Sequence, residues 1–191
     1  PRHAKVPSKV GKLTDGIVIR FLRPSDLHPQ MLAGFQHRQV ISDKWVKDGN
    51  GYKWIKTDEI REWDNDKRIW IPGYLMQQIE RGGAAAGAFV NSRMIGFASL
   101  DGILMSRPEK YANLTMLFID NRWQRQGIGK KLFQQICRHA KRKGADRVFI
   151  SAIPSHDTIS FYFSMGCLDA AYIIGEFVDT DYDRYLEYHL K

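Results

Sequence analysis

The sequence has 191 residues, 43% of them hydrophobic and 26% charged, which suits one compact domain with a sizeable core and leaves too little chain for two stacked ones. No apolar run approaches the roughly 20 residues that span a bilayer, and the N-terminus lacks the positive-then-apolar order of a signal peptide, so no membrane partner is expected and the expected location is cytoplasmic. The net charge of +8 is local: residues 1–23 carry +5, residues 121–147 carry +8 and the remainder carries −5. A polyanionic small molecule at the second cluster accounts for it as well as a nucleic-acid backbone does, and a solvated helix face is the plain alternative.

In chain order, residues 1–15 are rich in Pro, Lys and Ser and are expected to form a flexible basic arm, with a single domain over 16–191. A short strand is expected over Gly16 to Arg23. Pro24-Ser25-Asp26 then reads as a helix start, and the spacing predicts a helix to about Val40. From Ile41 to Asp66 charge alternates with Trp45, Tyr52, Trp54 and Trp63 without a clear period. A helix is predicted over Arg68 to Arg81, ended by Gly82-Gly83. Ala84–Val90 and Met94–Leu104, joined by Asn91-Ser92-Arg93, read as a β-hairpin, and Tyr111–Asp120 as a third strand. From Gly127 to Gly144 a helix places Ile128, Leu132, Phe133, Ile136, Cys137 and Ala140 on one stripe. Arg147–Ala152 reads as a strand, Asp157–Met165 as a short helix, and Leu168–Val178 and Arg184–Leu190 as closing strands. The fold class is α+β around a mixed sheet.

Cys137 and Cys167 are the only cysteines, and neither they nor the six scattered histidines have ligand spacing, so no metal is expected. The Gly-Gly-Ala-Ala-Ala-Gly run at 82–87 lacks the Gly-Lys-Ser/Thr ending of a P-loop.

The most informative stretch runs from Met116 to Lys130, where a strand passes through a basic loop into a helix begun by Gly127 and Gly129. The first amides of such a helix have no partner and point outward, and they attract anions. Glycines let a diphosphate approach the amides of residues 126–130, with Arg125 and Lys130 adding charge; helix-start glycines can equally serve tight packing.

Gln124-Arg125-Gln126-Gly127-Ile128-Gly129 resembles the Q/R-x-x-G-x-G/A signature of the GNAT superfamily of N-acetyltransferases. Further along, Phe161-Tyr162, followed by Gly166, resembles the second element of that family. The resemblance is close over residues 111–167. It implies a mostly antiparallel sheet flanked by helices, acetyl-coenzyme A as co-substrate, and an amine-bearing small molecule or peptide as acceptor, and a homodimer would be in keeping with it. It further implies that the amides of Arg125, Gln126, Gly127, Ile128, Gly129 and Lys130 cradle the pyrophosphate. The backbone of Leu117, Phe118 and Ile119, at a strand-splaying bulge, would pair with the pantetheine arm, the strand amide near Leu117 facing the oxyanion. Tyr162 would be the general acid for the departing thiolate.

Ser155 stands where the family often has a coenzyme-contacting Asn, Cys167 replaces a usual Phe, and Asn113 stands where protein-lysine acetylating relatives carry a Glu base. For the base, Glu59, Glu62, Asp120 and Glu176 are candidates, but each reads more readily as a solvated or paired surface carboxylate, and a water chain could do the same work, so none is assigned. Trp45, Trp54 and Trp63 with Asp58, Glu59 and Glu62 line a cationic-amine pocket, or the tryptophans cap the core or form a dimer surface. The alternatives are a coenzyme-binding sensor without turnover, another acyl group, or a hydroxyl acceptor; a nucleic-acid binder is disfavoured because no base-stacking motif accompanies the charge.

Overall fold

The structure is a computed structural model that describes residues 16–106 and 108–191; the arm expected over residues 1–15 lies outside the described residues. Strand β1 (Val18–Phe21) is followed by a single 3-10 turn, Pro24–Asp26, and then by turns to Gly34. The helix expected from Pro24 to about Val40 does not form. Pro29 supplies no amide and disfavours helical backbone at His28, and Gly34 takes a positive φ of 69°. Asp26 nevertheless caps the short turn, accepting from the Arg23 amide and holding Arg20 in a bidentate pair at 2.7 and 2.8 Å.

The unpatterned region is a long β-hairpin of β2 (Arg38–Asp48) and β3 (Gly51–Glu62), reversed at Gly49, whose φ is +59°. It is a sheet of its own. The helix α1 (Asn65–Glu80) follows, capped by the Asp64 carboxylate on the Lys67 amide at 2.7 Å. The strands β4 (Ala84–Val90) and β5 (Arg93–Ser106) form the expected hairpin, turning at Asn91 and Ser92, both with positive φ. Then come β6 (Lys110–Ile119), α2 (Ile128–Arg142), β7 (Arg147–Ala152), α3 (His156–Ser164), β8 (Leu168–Asp169) and β9 (Arg184–His189). Ile174 and Phe177, expected in a strand to Val178, instead turn inward from a loop and pack with Tyr111, Phe149 and Tyr185, so the ladder of β8 ends after two residues.

The seven-stranded sheet has the order β1-β4-β5-β6-β7-β9-β8, and β6–β7 is its parallel pair. Side chains alternate across it. Ala112, Leu114, Val148 and Ile150 face the main core under α2 and α3; Met116, Phe118 and Phe97 face a second core under α1, and Tyr111 and Phe149 face the third, smaller one. The fold is α+β with a mostly antiparallel sheet, as expected.

Candidate functional site

Strand β6 pairs with β7 only from Tyr111–Arg147 to Leu114–Ile150. Just beyond, Thr115 is an extra residue, because Leu114 faces Leu100 while Met116 faces Ser99. This bulge, held by a 2.6 Å bond between the Thr115 and Ser99 hydroxyls, turns β6 away from β7. Backbone groups at alternate positions of residues 115–119, including Leu117, Phe118 and Ile119, therefore border an opening instead of a strand.

Asp120 closes the end of β6. It is fully buried, accepts from the amides of Gln36 and Arg122 and pairs with the Arg122 guanidinium at 2.5 Å. Burial pushes its carboxyl up, but these donors outweigh burial and hold it below the usual range. The next residue, Asn121, pins Arg38 at the start of β2 through both its oxygen and its amide nitrogen. At the other end the Trp45 amide donates to the Pro154 carbonyl beyond β7, at 2.8 Å. The strand β2 thus bridges the diverging ends of β6 and β7.

After Asp120 the chain turns through Asn121–Trp123 into Arg125, with φ of 60°, and Gly127, with φ of 75°. No side chain caps α2, and the first bond from this turn runs from the Lys131 amide to the Gly127 carbonyl. The amides ahead of Lys131, among them Ile128, Gly129 and Lys130, form the anion-attracting end that the spacing predicts. Arg125 is exposed and lies 3.6 Å from Asp157. The two glycines differ in role. A Cβ on Gly127 meets nothing, whereas one on Gly129 would lie 3.2 Å from the Phe161 ring, so Gly129 lets α2 and α3 close on each other.

Ser155 caps α3 and is 3% exposed; its hydroxyl bonds Thr158 and accepts from Gln39 Nε2 at 3.0 Å. Its local work is to fix α3 and the hairpin. Tyr162 is buried between Phe133 and Phe161, and burial, then the charges of Cys167, Cys137 and Asp179, raises its pKa. Cys137 and Cys167 are buried too, their thiols pushed up to about 12. Among the described residues no group of three or more His, Cys, Asp or Glu side chains could hold a metal ion, and no helix is long and apolar enough to cross a membrane.

The aromatic stretch divides. Trp63 is a core residue stacked on His37 and Phe35, while Trp45 and Trp54 meet edge-to-face across the hairpin at 4.9 Å. Glu59, between Lys44 and Arg61, lines a cleft of about 640 Å³ with Trp45 and Ser155. A second cleft, about 480 Å³, shares Lys47 and Asp181 with the first and is floored by the loop after β8, including Asp179. Asp179 belongs to no motif of the sequence. A carboxylate in a loop carries no local signal of where the fold will place it.

The acetyltransferase (GNAT) family model matches residues 49–166. No curated protein matches the sequence significantly. Among solved structures, a Bacillus anthracis protein assigned as a streptothricin acetyltransferase, solved with acetyl-coenzyme A, superposes with a TM-score of 0.66 at 16% identity, over 92% of this chain and 98% of that one. The PaiA N-acetyltransferase of Thermoplasma acidophilum, solved with coenzyme A, gives 0.58 at 19% identity over 91% and 99%. The ribosomal-protein-S18-alanine N-acetyltransferase of Escherichia coli gives 0.56 at 17% identity over 92% and 94%. An opened parallel strand pair beside an uncapped helix start defines a fold of the acyl-coenzyme A N-acyltransferase type. With the family model matching more than half its length, the chain belongs to the GNAT family of acetyltransferases.

Proposed function

We propose that this protein transfers an acetyl group from acetyl-coenzyme A to an amine of a small molecule or peptide. The observation that carries this reading is the opening between β6 and β7 lying next to the uncapped start of α2. The amides of Arg125 to Lys130 hold the pyrophosphate, and the free edge of Leu117 to Ile119 pairs with the pantetheine arm as a short strand would. An amide of that edge, near Leu117, stabilises the oxyanion, and Tyr162 donates a proton to the leaving thiolate. Ser155 acts through α3, keeping Tyr162 in place. Direct attack by the amine is favoured because both thiols are buried and titrate near 12, which leaves almost no thiolate to form an acyl-cysteine. The cytoplasmic location and the single domain over 16–191 go with this reading.

Similar folds carry names for both a small-molecule and a protein acceptor, so the acceptor must be found by experiment. Thiol release from acetyl-coenzyme A is measured across a panel of primary amines, with calorimetry following coenzyme binding. Turnover is expected, and Tyr162→Phe should slow it by roughly 10²-fold while binding coenzyme normally. Tight binding without turnover on any amine would replace the enzyme by a sensor or point to another acyl group or a hydroxyl acceptor. A Tyr162→Phe protein with full turnover would remove the acid.

A further inference from the structure

An amine of pKa near 10.4 is neutral in about one molecule in 2,500 at pH 7, so the acceptor must lose a proton before it attacks. The carboxylates singled out in the sequence are placed badly for this. Asp120 is buried against Arg122, Glu59 is held by Lys44 and Arg61, and Glu62 lies 3.7 Å from Arg38 on the hairpin's exposed edge. Glu176, on the turn Gly175–Phe177, lines neither of the two clefts.

We propose that Asp179 is the general base, taking the proton from the acceptor on the α1 face of the splayed strands while Tyr162 acts from the face under α2 and α3. The inference rests on the reading of the protein as an amine acetyltransferase. Its geometry begins at Ser151, the first residue of β7 beyond the last pair with β6. The Asp179 amide donates to the Ser151 hydroxyl at 3.1 Å, and that hydroxyl donates to Asp183 at 2.8 Å. Since Ile150 and Ala152 face the α2 core, Ser151 points to the opposite side, the side of Phe149. Asn113 shares that side, 7% exposed, with its Oδ1 buried and unpartnered, an acceptor that a ligand N–H can satisfy.

Asp179 also opens on the 480 Å³ cleft, together with Asp181, Lys47 from β2 and Tyr185 from β9. It is exposed to solvent where it lines this cleft. Burial raises its carboxyl to about 6, the like charge of Asp183 adds to this and Lys67 from α1 opposes it. Its charge is felt by Tyr74 on α1, which leans on Thr115 of the bulge, and by Tyr162. The bond from its amide to Ser151 sets Asp179 beside the point where β7 leaves β6. A group that titrates just below neutrality is ionised at pH 7 and still basic enough to accept a proton.

The step balances. Asp179 takes one proton from the ammonium, and the neutral amine forms a C–N bond to the thioester carbonyl. The C–S bond breaks, its electron pair leaves as thiolate, and the thiolate takes the Tyr162 proton. The second nitrogen proton returns through water to the tyrosinate, and Asp179 releases its own to solvent.

The test compares wild type and Asp179→Asn in the full chain with acetyl-coenzyme A and two acceptors of one skeleton, an alkyl amine from the panel and the corresponding acyl hydrazide, whose nitrogen is already neutral at pH 7. Expected are a loss of roughly 10²-fold in kcat/KM for the alkyl amine, an unchanged coenzyme Kd, disappearance of an acid limb near pH 6, and a hydrazide rate close to wild type. An unchanged rate and pH profile, or an equal loss with both acceptors, would overturn the assignment of Asp179 alone. Wild type that acetylates no amine overturns the enzymatic reading and this one with it.

Discussion

One methyl group at Gly129 would separate the packing role of the helix start from its anion-attracting one. A Cβ there would press on the Phe161 ring from 3.2 and 3.3 Å, against the helix that carries Tyr162. Gly129→Ala keeps every backbone amide, so its expected effect is on packing: a loss of about 1–3 kcal/mol, read as a lower urea midpoint at constant m value. At this scale much of the candidate site was legible. The run from Gln124 to Gly129 is a local turn-and-helix signal, and the structure gives it positive φ at Arg125 and Gly127 and an uncapped helix. Asp179 was not legible, because what distinguishes it is a bond to Ser151, 28 positions away in the chain, and no local pattern encodes that.

At the scale of elements, the three tryptophans of the hairpin region have separate energetics. Trp63 is 9% exposed and wedged among Phe35, His37, Phe97 and Phe118, so Trp63→Ala should cost about 3–5 kcal/mol in chemical denaturation. Trp54 is 37% exposed and meets Trp45 and His156 edge-on, and Trp54→Ala should cost only about 1 kcal/mol. Equal losses would contradict the division. The sheet strands from β4 to β7 and the helix α2 were legible because each has a clean period and its own punctuation, such as Asn91-Ser92 and Gly144. The stretch before α1 was not. The helix signal of Pro24-Ser25-Asp26 is spent within one turn once Pro29 intervenes, and β2 and β3 pair in isolation, with charged side chains on both faces that blur the two-residue period.

For the whole molecule, the response to acid follows from groups whose titration differs on folding. Burial, with Arg68 adding, lowers His37 from 6.5 to about 4. The unfolded chain then binds the proton first, and stability falls as pH drops from 6.5 to 4. Asp179, raised from 3.8 to about 6, works the other way: the folded chain takes its proton first, and stability rises over that window. Below it Asp26, held down to about 2 chiefly by Arg20, loses its contribution between pH 3.8 and 2. Wild type should therefore show a shallow dependence between pH 6 and 4. His37→Phe, which keeps a ring against Trp63, should become more stable on acidification over that range, as measured by urea unfolding at each pH. A flat or falling curve for that variant would contradict the balance.

The β2 bridge gives the molecule a mechanical property. From Arg38, fixed to Asn121, to Trp45, fixed to Pro154, the chain has seven steps and spans at most roughly 23 Å at about 3.3 Å each. It is a tie rod bolted across the mouth of a wedge. The gauge of the slot is thus set by a segment that belongs to neither strand, and an occupant must slide in along the strands, since prying them wider would first have to break the bolts.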